Sequence, residues 1–115
     1  MEFEERRKYP RIRLIAKVQL AAGGQSHYFY SRDLSAGGIF LETEHAYPEG
    51  TRLELEFALP EIADKISLKG EVVRIERPET RQVGAVPGMG IRFLNLEPET
   101  KSMLADFIAR ELARK

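Results

Sequence analysis

The chain contains no cysteine, which excludes a disulfide framework and any thiolate metal site. It has only two histidines, and neither His27 nor His45 has a second histidine or a cysteine at ligand spacing, so no metal centre is expected. Its apolar runs are a few residues long, against the ~20 that a transmembrane helix needs, so no membrane insertion is expected. The opening MEFEERRK lacks the apolar stretch of a secretory signal, and the expectation is a soluble, cytoplasmic domain. No nucleophile–base–acid set stands out, so an enzyme is not expected. Repeats and low-complexity segments are missing as well. What remains is 115 residues, 43% hydrophobic, enough for one domain around one core.

Net charge is also lacking, since 18 basic side chains balance 18 acidic ones. The balance conceals an asymmetry. From Arg6 to Arg32 there are seven Lys or Arg residues and no Asp or Glu. From Glu42 to Asp64 there are six Glu, one Asp and a single Arg. A basic segment on a neutral domain suggests a local anion site. A surface that coats nucleic acid would raise the charge of the whole domain.

The hydrophobic pattern has a period of two over most of the length. Residues 1–11 are a polar lead segment ending at Tyr9-Pro10, where proline disfavours helix. In IRLIAKVQL, Ile12, Leu14, Ala16, Val18 and Leu20 alternate against Arg13, Lys17 and Gln19, the signature of one half-buried strand. Gly23-Gly24 signals a hairpin into the aromatic stretch SHYFYSR. DLSAGG breaks that strand and IFLET resumes it. YPEG fits a type I turn with Pro48 second and Gly50 fourth. RLELEFAL alternates cleanly, ISLKGEVVRIE shifts register at Val72-Val73 and suggests a bulge, and MGIRFLNL is the last strand. RPETRQVGAVPG between the last two reads as a loop. The tail then changes period: Leu104, Phe107, Ile108 and Leu112 recur at helical spacing, which predicts one amphipathic helix over about 98–114. Six short strands and one helix favour an antiparallel β-barrel, because closure removes strand edges. The helix is expected to cover one barrel end, unless its apolar stripe serves a partner.

Two stretches carry possible chemistry. Arg7 and Arg11 stand four apart in ERRKYPRIR, and two guanidinium forks on a mobile segment can each bond phosphate oxygens or a guanine edge. The spacing alone is weak, because Arg77/Arg81 and Arg110/Arg114 share it. The second stretch is Asp33-x-Ser35-x-x-Gly38. A carboxylate can accept from the guanine N1–H and N2–H₂ edge, a hydroxyl can donate to phosphate, and glycine lets a ligand approach the backbone. The same stretch also suits a plain strand break, with Asp and Ser bonding their own backbone and the glycines supplying positive φ.

In this order, separated by a hairpin, the two stretches resemble the RxxxR and (D/N)xSxxG signatures of the PilZ domain family. PEGT before a strand, GMGIRFLNL and the closing helix are similar to that family too, so the resemblance covers essentially the whole chain. It implies an all-β fold with one helix: a six-stranded antiparallel barrel over 12–115 with a C-terminal helix, preceded by a flexible ligand-binding segment over 1–11. It implies binding of the bacterial second messenger cyclic di-GMP, without catalysis or a cofactor. Arg7 and Arg11 would grip guanines and phosphates, and Asp33, Ser35 and Gly38 would supply the barrel-side surface. Arg6, before the motif, is expected to favour a stacked pair of ligands over a single one. Binding would be passed to a regulated partner protein. The alternative is a PilZ-like adaptor with weak or no nucleotide binding. A nucleic-acid-binding barrel is disfavoured by the acidic stretch, and no DNA or RNA partner is expected.

Overall fold

The computed structural model describes residues 10–77 and 86–114. Arg6, Arg7 and most of the lead segment lie outside these residues, as does the central part of the loop before the last strand. Among these residues seven strands are formed: β1 (Ile12–Arg13), β2 (Lys17–Ala22), β3 (Gln25–Leu34), β4 (Gly38–Glu42), β5 (Arg52–Phe57), β6 (Ile66–Glu76) and β7 (Gly88–Leu94). A helix, α1 (Pro98–Ala113), follows. All neighbouring strands are antiparallel, in the order β3-β2-β5-β6-β7-β4, and β4 pairs back onto β3. Six strands thus close a barrel, and the two-residue β1 is added beside β3.

The expected first strand is divided, and one side chain explains why. Ser31 on β3 is 2% exposed. Its Oγ donates to the Leu14 carbonyl at 2.6 Å and accepts from the Ala16 amide at 2.9 Å. A hydroxyl inserted here replaces ladder bonds that two straight strands would exchange. The backbone between β1 and β2 bulges around it and leaves Ile15 exposed. On its other side β3 shifts register against β4 between Ser31 and Asp33. The alternation nevertheless survives, because Ile12, Val18 and Leu20 are buried.

Turn chemistry differs from expectation at one place. Thr51 donates its amide to the Pro48 carbonyl, so the turn is Pro48-Glu49-Gly50-Thr51, one residue further on. Gly50 is third in it, with φ +92°, the positive value that a type II turn demands there. The Gly23-Gly24 hairpin forms as expected, with positive φ at both residues.

Leu53, Leu55 and Phe57 of β5 face inward with Ile66, Leu68 and Val72 of β6, and all are buried. Leu104, Phe107 and Ile108 of α1 join this same core, at 0%, 2% and 3% exposure. The apolar stripe therefore packs on the chain's own barrel, beside β1. Leu112, expected in the stripe, is exposed. An ion pair from Arg114 to Glu61 at 3.2 Å joins the helix end to the β5–β6 connection. No helix among the described residues is long and apolar enough to cross a membrane.

Candidate ligand-binding site

The end of β3 and the start of β4 bring the two sequence stretches together. The β1–β3 register sets Arg13 opposite Asp33, which leaves Arg11 two residues away along the chain. Arg11 donates from Nη1 to Asp33 Oδ1 at 2.7 Å, with both side chains about one-third exposed (37% and 31%). Such a solvated pair contributes little stability, on the order of 0–1 kcal/mol. Its consequence is positional, since it fixes against Asp33 the Arg11 guanidinium, which lines a surface cleft.

Ser35 is committed to the backbone. Its Oγ accepts from the Gly37 and Gly38 amides, each at 3.1 Å, and its own amide donates to the Gly38 carbonyl at 2.9 Å. The hydroxyl thus caps the tight connection from β3 to β4. Gly38 serves the fold by its size. A Cβ there would stand 2.4 Å from the Ile91 carbonyl oxygen on β7. Positive φ, the role the sequence suggested for these glycines, is taken by neither Gly37 nor Gly38.

Arg11, Ser35 and Gly38 line a surface cleft together with residues of β6 and β7, among them Arg74 and Arg92. Sequence reasoning passed over both arginines. Arg74 is outward-facing only because of the bulge at Val73: Val72 pairs with inward Ile91, and the next pair is Arg74 with Gly90. The register shift noted at Val72-Val73 was the signal that could have found it. The Arg74 guanidinium lies 5.4 Å from the centre of the Phe40 ring, a cation–π stack. Its Nε faces the Glu76 carboxylate at 3.1 Å, close enough for attraction though not aligned for a hydrogen bond. Arg92 donates to Glu71 at 3.0 Å, while its own Nε is buried without a hydrogen-bond partner.

Three guanidinium groups therefore border one cleft, each beside a carboxylate. Planar forks in a partly dry recess suit phosphate and guanine edges alike. The described residues contain no His, Cys, Asp and Glu cluster that could hold a metal ion.

No curated protein sequence matches the chain. Solved structures do. An inhibitor of motility from Bacillus subtilis, MotI/DgrA, is 23% identical with a TM-score of 0.80, over 96% of this chain and 53% of that one. The MrkH–c-di-GMP complex of K. pneumonia is 20% identical with a TM-score of 0.67, over 96% and 56%. At these identities the likeness is one of fold, and this chain spans about half the length of either protein. The PilZ domain of YcgR from Escherichia coli, solved with c-di-GMP, is 25% identical with a TM-score of 0.68, over 96% of this chain and 98% of that one. The family model described as PilZ domain matches residues 5–110. With nearly every residue of the barrel and helix inside that match, the chain belongs to the PilZ domain family.

Proposed function

We propose that this domain is a cyclic di-GMP receptor, in which the cleft between Arg11 and Asp33 on one side and Arg74 and Arg92 on the other takes the ligand. The observation that carries this reading is the meeting of Arg11, Ser35 and Gly38 in one cleft with two further guanidinium groups. Cyclic di-GMP offers two phosphates and two guanines, and the arginine fork pairs with both kinds of group. Asp33 would accept from a guanine edge. Ser35 and Gly38 would act through the backbone they shape, because the Ser35 hydroxyl already serves two amides. Arg6 and Arg7 would complete the grip from the lead segment, with Arg6 favouring a stacked pair of ligands. Ordering the lead segment ahead of Arg11 over the cleft would cost on the order of 1–2 kcal/mol per residue fixed, which ligand contacts would offset. The closed segment would be the signal presented to a regulated protein.

Calorimetric titration with cyclic di-GMP, with GTP and GMP as controls, tests the reading. Saturable binding at micromolar concentration or tighter is expected, with linear nucleotides much weaker. Absence of heat at high micromolar ligand would leave the adaptor reading, which the fold-serving roles of Ser35 and Gly38 favour. Within the receptor reading, Arg11→Ala should weaken binding roughly 10- to 150-fold, the equivalent of about 1.5–3 kcal/mol for lost charge-assisted bonds. Its melting temperature should barely move, because the ion pair it breaks is solvent-exposed. Arg74→Ala should weaken binding about tenfold, in line with one lost stacking or charge contact. Wild-type affinity in that variant would remove Arg74 from the site.

A further inference from the structure

We propose that the outer face of β2 and β3 docks an acidic segment of a partner protein that also carries aromatic or apolar side chains. The large exposed apolar residues of the barrel gather there. Ile15 is 76% exposed, Tyr28 62% and Tyr30 56%. Tyr28 and Tyr30 stand two apart on β3, so their side chains leave the same face about 7 Å apart. Lys17 pairs across from Tyr30, and its Nζ lies 4.4 Å from the centre of the Tyr28 ring. Ile15 sits at the crest of the bulge that Ser31 creates. Arg13 and Arg32 continue the face toward the cleft.

Charge selects the occupant. Arg13, Lys17 and Arg32 have no carboxylate partner among the described residues and gather on this one face; Arg52, Lys65, Lys69, Arg77 and Arg110 also lack one but are spread over other elements. A neutral protein has thus left three cations open on one face, interleaved with two tyrosines and an isoleucine. Tyrosine and arginine are the side chains that carry most binding energy at protein interfaces. The face is also narrow. Glu42 lies across from Tyr30 on one side, and Glu56 across from Gln19 on the other. Those carboxylates repel a continuous phosphate backbone laid across the strands, but leave room for a short acidic segment along them. Arg13 is the cross-strand neighbour of Asp33, so the face adjoins the cleft. The proposal holds whether or not that cleft binds nucleotide.

The test uses the whole chain and a random glutamate–tyrosine copolymer as probe, with polylysine and a thymidine 20-mer as controls. The copolymer should bind saturably, more weakly as salt rises, and should perturb the amide resonances of Ile15, Lys17, Tyr28 and Tyr30. Lys17→Glu and Tyr30→Ser should each weaken that binding at least tenfold, with melting temperature and the cyclic di-GMP titration unchanged. Wild-type copolymer affinity in both variants would overturn the proposal. Tighter binding of the thymidine 20-mer would overturn it in favour of nucleic acid. Concentration-dependent self-association through the same residues would overturn it in favour of a second copy.

Discussion

Replacing Phe107 with alanine should lower the unfolding free energy by about 3–5 kcal/mol. Phe107 is 2% exposed and belongs to one core with barrel residues such as Ile12, Leu59 and Ile66. Truncation removes the transfer energy of the ring and leaves a cavity that neighbours on a closed barrel can fill only in part. A helix whose stripe served a partner would behave otherwise, since its loss would leave the barrel's melting temperature intact. For a domain of this size the expected fall is roughly 10–25 °C. Thermal unfolding followed by circular dichroism measures it, with Leu112→Ala as the control on the exposed side of the same helix. A Phe107→Ala protein that melts within a few degrees of wild type would show that α1 contributes little to the fold.

Gly38→Ala should destabilise the domain by about 1–3 kcal/mol, the usual cost of forcing a methyl group into packed structure. The obstacle is backbone: the Ile91 carbonyl oxygen lies 2.4 Å from where the Cβ would be. No rotamer change relieves such a contact, so β4 must move away from β7 and strain the ladder between Gly38 and Arg92. Because Gly38 also lines the cleft, the variant should lose ligand affinity as well, through displacement of the β3–β4 connection. Denaturant unfolding and the cyclic di-GMP titration, run on one preparation, separate the effects. Reduced stability together with weaker binding is the expected pair. Unchanged stability with lost binding would mean that the glycine acts by letting ligand approach, and that the barrel tolerates the methyl.

Phe107 marks what is legible in the sequence, whereas the packing role of Gly38 is not. The alternation of Leu53, Leu55 and Phe57, the helical spacing of Leu104, Phe107 and Ile108, the hairpin at Gly23-Gly24 and the register shift at Val72-Val73 are local signals. They were readable because strand, helix and turn each impose a short period or a φ requirement on neighbouring residues. The resemblance carried by Arg7, Arg11, Asp33, Ser35 and Gly38 depended only on order and spacing along the chain. From these the sequence by itself determined a barrel with a helix, its family, and one side of a candidate cleft.

The rest was decided by contacts between residues distant in the chain. Ser31 splits the first strand because its hydroxyl reaches Leu14 and Ala16, and no periodicity in that strand records it. Arg74 and Arg92 enter the cleft only when closure sets β6 and β7 beside β4. Gly38 is small because of a carbonyl on Ile91, more than fifty positions away. The tyrosines of β3 face outward because Phe29 and Ser31 take the inward positions against β2. Which face of a strand is inside is a property of the closed sheet, since register against the neighbouring strands sets it and a single strand carries only the alternation.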